Sequence, residues 1–137
     1  MSNIQPGAVM LAKPKHFHLH TGGTVSVSSL FVATCNANVR RCQRTIGHHP
    51  VVVLSTPNKN DMVMIASMSH QHPGNPPQRP TSTYNLPMDP VKGEGTINVG
   101  WPSLIHFTRL KQTSAPLTMS CTDLEVLMCD IRESLYL

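Results

Sequence analysis

The sequence predicts a mainly β protein, a strongly bent antiparallel sheet or small β-barrel that ends in one α-helix. Short runs rich in β-branched residues recur between turn signals, which is the pattern of an all-β domain. Twelve prolines are spread over the 137 residues and exclude long helices through most of the chain. The length fits a single domain, residues 1–137, with a modest core.

The first half of the chain contains three predicted strands and one insertion. Residues 8–12 form an apolar run that follows a Pro-Gly turn. Residues 51–55 begin with three valines and are predicted as the central strand. After a polar turn at 57–61, residues 62–68 are predicted to return antiparallel to it. Between the first two strands, residues 14–45 are predicted to be a His-rich insertion in the barrel.

The second half is predicted to contain a long loop, two strands and the helix. Residues 70–90 are too rich in proline for a central strand and long enough for a functional loop. Residues 95–99 and 104–110 have strand composition. A helix is predicted over 122–134, because Thr122 and Glu125 have the spacing of a capping box. The apolar residues of this segment lie on one helical face: Leu124, Leu127, Met128, Ile131 and Leu135.

The charge composition favours an anionic partner. Lys and Arg number 11 and Asp and Glu 7, so the formal net charge is 11 − 7 = +4. The densest basic groups are Arg40-Arg41-x-x-Arg44, Arg79 and Arg109-x-Lys111. Aromatic residues make up 4% of the chain, which argues against a platform that stacks several bases.

A cytoplasmic location is predicted from the absence of export signals. No apolar run is long enough to span a bilayer, and the N-terminus has no signal-peptide pattern. The four cysteines show no CxxC spacing and are predicted to be reduced.

Histidines at the ends of two predicted neighbouring strands form the first candidate site. His48 and His49 come directly before the central strand, whereas Ser69, His70 and His72 follow the return strand. Two imidazoles near one phosphate suffice for general acid–base transesterification. The alternative is that these histidines are solvated loop residues.

Three further histidines form the second candidate site. His16, His18 and His20 alternate along a possible strand, within a predicted hairpin at 15–33, and would share one face. Same-face neighbours lie roughly 7 Å apart, so two of them can bind one Zn²⁺ or Cu²⁺, with a further ligand supplied by His106 or by the His48/His49 pair. The alternative is an exposed His-rich hairpin edge, since no Asp or Glu lies nearby in sequence to orient the rings. No other cofactor is expected.

Two aromatic residues are candidates for stacking on a base. Trp101 is the only tryptophan, and it lies between Gly100 and Pro102 at a predicted tight turn. Tyr84, in the proline-rich loop, is a weaker candidate of the same kind. Either ring can instead fill the core.

The segment Gly47-His48-His49-Pro50-Val51-Val52-Val53-Leu54-Ser55 resembles the Gly-x-Arg-Pro-x-x-Val-Leu-Ser segment of MazF/PemK-type toxins. Segments 63–69, 97–104 and 123–127 resemble later parts of that family in the same order, so the resemblance covers roughly residues 46–137. It implies an SH3-like barrel that cuts single-stranded RNA without a metal, through attack by the RNA's own 2′-hydroxyl. It also implies a homodimer and an inhibitory protein partner.

The resemblance assigns catalytic roles to His49 and Ser69. The family has Arg and Thr at these positions, facing the scissile phosphate. His cannot grip a phosphate with two parallel hydrogen bonds as Arg does, but it can transfer protons near neutral pH. The surrounding residues implied to bind RNA are His48, His70, His72, Arg79 and Trp101. The loss of the family's Arg leaves an alternative function, a non-catalytic SH3-like module that binds a peptide or a nucleic acid.

Overall fold

The computed structural model describes residues 4–19, 48–69, 78–87, 90–91, 93–100 and 102–135. Within them, eight strands form one connected antiparallel sheet and an α-helix follows at the C-terminal end, which confirms the predicted mainly β class. The strands are β1 (Ala8–Ala12), β2 (His18–Leu19), β3 (His49–Val53), β4 (Met62–Ser69), β5 (Gln78–Pro80), β6 (Thr96–Asn98), β7 (Ser103–His106) and β8 (Lys111–Thr118). The helix is α1 (Cys121–Leu135).

The strand order produces a barrel-like sheet. The strands follow one another in the order β2-β7-β4-β3-β1-β8, so the chain returns in β8 to pair with its own first strand. A 3₁₀ turn at Phe107–Arg109 separates β7 from β8. The long strand β4 pairs with β7 through its first half and with β6 through Met68 and Ser69. The pairing of β4 with β3 uses Ile65, Ala66 and Ser67, directly before these two residues.

Side chains of β3 are buried on both faces of the sheet. Val51 and Val53 belong to one apolar cluster, the barrel core, together with residues of β1, β4 and β7. Val52 belongs to a second cluster, the helix-side core, which α1 covers. All three valines are fully buried. This double burial explains why the central strand is a continuous valine run rather than an alternating pattern.

A bulge interrupts the pairing of β1 with β8. Val9 pairs with Leu117 but the next residue, Met10, pairs with Gln112, so residues 113–116 have no partner on β1. Pro116, which has no backbone N–H to donate, lies in this bulge, where a ladder hydrogen bond is not required. Strand β8 was not predicted from the sequence. Residues 104–110 were predicted as one strand, but they comprise most of β7 and the 3₁₀ turn that follows it.

Helix α1 begins one residue earlier than predicted and has a different cap. The Ser120 hydroxyl oxygen accepts a hydrogen bond from the backbone N–H of Asp123 at 3.1 Å, so Ser120 rather than Thr122 is the N-cap. The predicted apolar face is correct where it is described. Leu127 and Ile131 are buried, and Leu124 and Met128 pack against the helix-side core.

The position of this cap can be tested by two alanine variants. Ser120→Ala should lower the free energy of unfolding by about 1 kcal/mol, because it leaves the Asp123 N–H without its acceptor. Thr122→Ala, two residues later on the exposed surface, should change it by less than about 0.5 kcal/mol. Urea denaturation followed by circular dichroism measures both. The opposite ranking would restore Thr122 as the cap.

The predicted strand through the N-terminal histidines is wrong in part. Residues Pro14–His16 form a 3₁₀ turn, and strand structure resumes only at β2. Proline favours the first position of a helical turn, because its missing N–H is not needed there. The rest of the predicted insertion at 14–45, and most of the hairpin at 15–33, lie outside the described residues.

The proline-rich loop at 70–90 contains regular structure. β5 pairs only with β6 among the described strands, and the 3₁₀ turn Thr81–Tyr84 follows it. The Tyr84 ring is buried in the helix-side core, and its hydroxyl donates to the Asp130 carboxylate at 2.6 Å. Burial and this hydrogen bond raise the pKa of the Tyr84 phenol. Tyr84 therefore joins the loop to α1 and is not available to stack on a base.

Candidate functional site

His49 and Ser69 lie on adjacent central strands. β3 and β4 pair in the antiparallel register Val51↔Ser67 and Val53↔Ile65. The paired residues end at Val51 and Ser67; the same register continued by two residues would bring Ser69 opposite His49, and the Cβ atoms of opposed residues are about 5 Å apart. Both side chains are half-buried. A single phosphate could therefore contact both residues.

The two side chains are positioned at one end of the barrel core. Residues two apart on a strand share a face, so His49 continues the face of the buried Val51. Likewise Ser69 continues the face of Ser67 and Ile65. We call this end of the barrel, with His48, His49 and Ser69, the mouth.

Hydrogen bonds from a third strand fix the backbone at the mouth. Thr96 on β6 pairs with Ser69, and its hydroxyl donates to the Ser69 carbonyl oxygen at 3.0 Å. The same hydroxyl also contacts Oε1 of Gln78 on β5. On the other side, His49 pairs with Ala12 of β1. The two residues are thus carried by a rigid part of the sheet, as a preorganised site requires.

Positive charge acts on His48 at the mouth. Burial, followed by the charges of Lys111 and Lys13, holds the pKa of the His48 imidazole below its ordinary value. Lys13 follows directly after Ala12, and Lys111 pairs with Leu11 on β1. By strand alternation, Lys13 and Lys111 lie on the face of Leu11 and His48, opposite to that of His49 and Ser69, so their charge acts on the His48 side of the mouth.

Lys13 connects the mouth with a second basic region. Burial, then the charges of Arg109, Lys15, Lys13 and His18, lowers the pKa of His16. Lys13 thus acts on both His16 and His48. We call this surface the basic band: Lys13, Lys15, His16, His18, His48, Arg109 and Lys111. By contrast, α1 carries Asp123, Glu125, Asp130 and Glu133 against one basic residue, Arg132.

A charge-neutralising variant tests whether the basic band is continuous. Lys13→Met should raise the pKa of both His16 and His48, because it removes a positive charge that opposes protonation of each ring. Burial remains, so both values should stay below about 6.5. Titration of the imidazole signals by NMR measures the change. Lys59→Met, in the turn between β3 and β4, is the matched control and should leave both values unchanged.

The same titration has a consequence for stability. The native imidazoles of His16 and His48 protonate at lower pH than the unfolded ones, so the unfolded state binds more protons between the two values. The free energy of unfolding should therefore decrease as the pH falls through about 6.5, and less steeply in Lys13→Met. Equal slopes in both proteins would show that Lys13 is not a neighbour of these rings.

The predicted metal site is only partly assembled. His16, His18 and His106 line one cleft of about 560 Å³, with Lys15, Thr108 and Arg109. Within the described residues, which leave out His20, no group of three or more potential ligands is arranged to hold a metal ion. The cleft lining contains cations and no carboxylate, which suits an anion better than Zn²⁺.

The remaining predicted site residues are placed elsewhere or not described. His70, His72 and Trp101 lie outside the described residues, as do Arg40, Arg41 and Arg44. Arg79 is exposed on β5 opposite Ile97, a residue of the helix-side core. Its charge acts on the Tyr84 phenol and opposes the rise of that group's pKa. Its role in RNA binding stays a prediction.

Sequence reasoning did not assign Lys13, Arg109 or Lys111 to a site. The spacing of Arg109 and Lys111 marks a basic group, but only the pairing of β8 with β1 brings Lys111 beside the first strand, whereas Arg109 lines the cleft of His16, His18 and His106. A different cleft, of about 430 Å³, was also missed, because it opens between β1 and the bulge of β8.

Comparison of the sequence with models of known protein families matches none of them, and comparison with curated proteins finds no match. The resemblance to MazF/PemK-type toxins therefore stays a prediction. No helix in the described parts of the chain is both long and apolar enough to cross a membrane.

Proposed function

We propose that this protein is a metal-independent endoribonuclease that cleaves single-stranded RNA in the cytoplasm. The observation that supports the proposal is the register of β3 and β4, which pairs Val51 with Ser67 and, continued by two residues, would bring His49 opposite Ser69, next to His48 and the two lysines that act on it. An imidazole, a hydroxyl and two ammonium groups are the parts that phosphodiester transesterification needs. The resemblance to MazF/PemK-type toxins supports the same reaction.

In the proposed reaction the nucleophile comes from the RNA. The His49 imidazole removes the proton of the 2′-hydroxyl, and the 2′-oxygen forms a bond to the adjacent phosphorus. The bond from phosphorus to the 5′-oxygen breaks, and this oxygen takes up a proton from the imidazolium or from water. The products are a 2′,3′-cyclic phosphate and a free 5′-hydroxyl. The step needs no water as a reactant and no metal.

The other groups stabilise the charge that develops on the phosphate. The Ser69 hydroxyl donates a hydrogen bond to a non-bridging phosphate oxygen. The ammonium groups of Lys13 and Lys111 add permanent positive charge from the His48 side of the mouth. His48 adds a donor, since a bound phosphate favours its protonated form and offsets the effect of the two lysines on its pKa.

Incubation with single-stranded RNA in excess EDTA tests the proposal. Cleavage that leaves 2′,3′-cyclic phosphate ends, detected by mass spectrometry of the fragments, is the expected result. Cleavage that stops when EDTA is added would contradict the metal-independent mechanism and would favour a metal at the N-terminal histidines.

A non-catalytic SH3-like module that binds a peptide or nucleic acid is the second candidate function. The cleft between β1 and the bulge of β8 favours it, because this cleft of about 430 Å³ is lined mainly by apolar residues. Such a lining suits the apolar side chains of a peptide. Binding of RNA or peptide without any cleavage in EDTA would favour this function over the first.

We also propose a homodimer and an inhibitory protein partner that covers the mouth. Among the described strands, β8 pairs only with β1, so its other edge presents backbone groups that a second copy can pair with. Light scattering coupled to size exclusion measures the mass. A monomer at all concentrations would contradict the dimer.

A further inference from the structure

A second cleft, lined by His16, His18 and His106, is separate from the mouth. We call it the histidine cleft: Lys15, His16, His18, His106, Thr108 and Arg109. Met62, at the first position of β4, also lines it, whereas Ser69 ends the same strand. Seven residues of strand separate the two by roughly 23 Å. The volume, about 560 Å³, is within the range of small-ligand sites.

The charges of the histidine cleft are of one sign. Lys15 and Arg109 are permanently charged, and among the described residues no carboxylate lines the cleft. Asp61 precedes Met62 in sequence, and its backbone oxygen accepts a hydrogen bond from Phe107. The Asp61 carboxylate does not line the cleft, and it is not among the charges that act on His16. An anion would relieve the mutual repulsion of the cations.

Hydrogen bonding to Thr108 leaves Nε2 as the donor atom of His106, a residue that lines the cleft. Its Nδ1 atom accepts the backbone N–H of Thr108 at 3.3 Å and lies 2.8 Å from the Thr108 hydroxyl. A neutral imidazole whose Nδ1 accepts carries its hydrogen on Nε2. The ring also stacks on Phe107, with centroids 5.2 Å apart. The Nε2–H is therefore held in place before any ligand arrives.

The basic band connects this cleft with the mouth. Lys13 acts on His16 at one end and on His48 at the other. Proteins that bind single strands follow the backbone with a basic groove and add aromatic stacking. With aromatic residues at 4% of the chain, phosphate contacts must contribute most of the binding.

We propose that the histidine cleft binds a phosphodiester group of single-stranded RNA, several nucleotides from the bond that is cleaved at the mouth. The assignment of RNA as the ligand rests on the proposed function, whereas the preference for a phosphate rests on the cleft itself. Arg109 offers a planar donor fork that fits two phosphate oxygens, and Lys15 adds a mobile charge.

The experiment compares long and short RNA. The variant is the double substitution Lys15→Gln and Arg109→Gln in the full-length chain, and Lys59→Gln is the control. Binding is measured by fluorescence anisotropy with 2′-O-methyl oligonucleotides, which lack the nucleophile, of about 16 and about three nucleotides. The double variant should bind the long oligonucleotide about 10-fold more weakly. Its salt dependence should lose about 0.7 in slope for each lost phosphate contact.

Affinity for the short oligonucleotide should not change, because it reaches only the mouth. An equal loss for both lengths, or no loss for either, would overturn the proposal. NMR titration with inorganic phosphate should shift the signals of His16, His18 and His106. Phosphate that binds as tightly as the long oligonucleotide would identify a small-anion site instead and would overturn the assignment to RNA.

Cleavage separates this proposal from the proposed function. If cleavage occurs and the double variant raises KM for long RNA with kcat unchanged, both hold. If neither the wild type nor the variants cleave RNA, but binding of the long oligonucleotide still depends on Lys15 and Arg109, the cleft proposal holds and the nuclease proposal fails. If cleavage occurs with the same KM in all proteins, the nuclease holds and the cleft proposal fails.

Discussion

Replacing His49 with alanine is expected to slow RNA cleavage by about 10²–10⁴-fold, the usual size of a general acid–base contribution. The side chain is half-buried at the mouth and its strand pairing with Ala12 uses only backbone atoms. The free energy of unfolding should therefore change by less than about 1 kcal/mol. Single-turnover cleavage and urea denaturation measure the two effects. Cleavage at the wild-type rate would remove His49 from the mechanism.

The arginine variant at the same position distinguishes proton transfer from charge. His49→Arg should bind RNA at least as tightly as the wild type, because a permanent charge replaces one that titrates. The wild-type rate should bend near the pKa of an imidazole, about 6.5 where nothing shifts it. The arginine variant should show no such bend. If both proteins follow the same pH profile, the titrating group is elsewhere.

Replacing Leu127 with alanine is expected to lower the free energy of unfolding by about 2–5 kcal/mol. Leu127 is fully buried between α1 and the outer face of the sheet, in the cluster that also holds Val52 of the central strand. The truncation leaves a cavity in the layer that holds β3 in place. Thermal and urea unfolding followed by circular dichroism measure the loss.

Val126 supplies the matched control for this truncation. It precedes Leu127 on the same helix, and 43% of its surface is exposed. Val126→Ala should therefore cost less than about 1 kcal/mol, since little area is removed from the interior and alanine favours the helix. Similar losses at both positions would mean that α1 does not pack against the sheet through the Leu127 face.

The elements with strong burial were predictable from the sequence. The valine run of β3 and the apolar spacing of α1 both reflect side chains that must leave water, so pattern and structure agree. β8 gave no such signal, because it is a mostly exposed edge strand with a bulge at Pro116. The 3₁₀ turn at Pro14–His16 was missed, since alternating histidines imitate a strand period.

Only the part of the candidate site that lies on two strands adjacent in sequence could be predicted. His49 and Ser69 follow from a hairpin whose two strands and turn are visible in the sequence. The contributions of Lys13 and Lys111 depend on the pairing of the first strand with the last, which are about a hundred residues apart in the chain. Such long-range pairing has no local sequence signature.

Among the described residues, most acidic side chains belong to α1 and the cations of the basic band to the sheet and its turns, an uneven distribution of charge that contributes an electric dipole. A polyanion that approaches from any direction experiences a torque that turns the band towards it and the helix away. Collisions would then be oriented before contact, so a larger share of them would be productive. Orientation of this kind acts through the association rate and is lost as added salt shortens the range of the field.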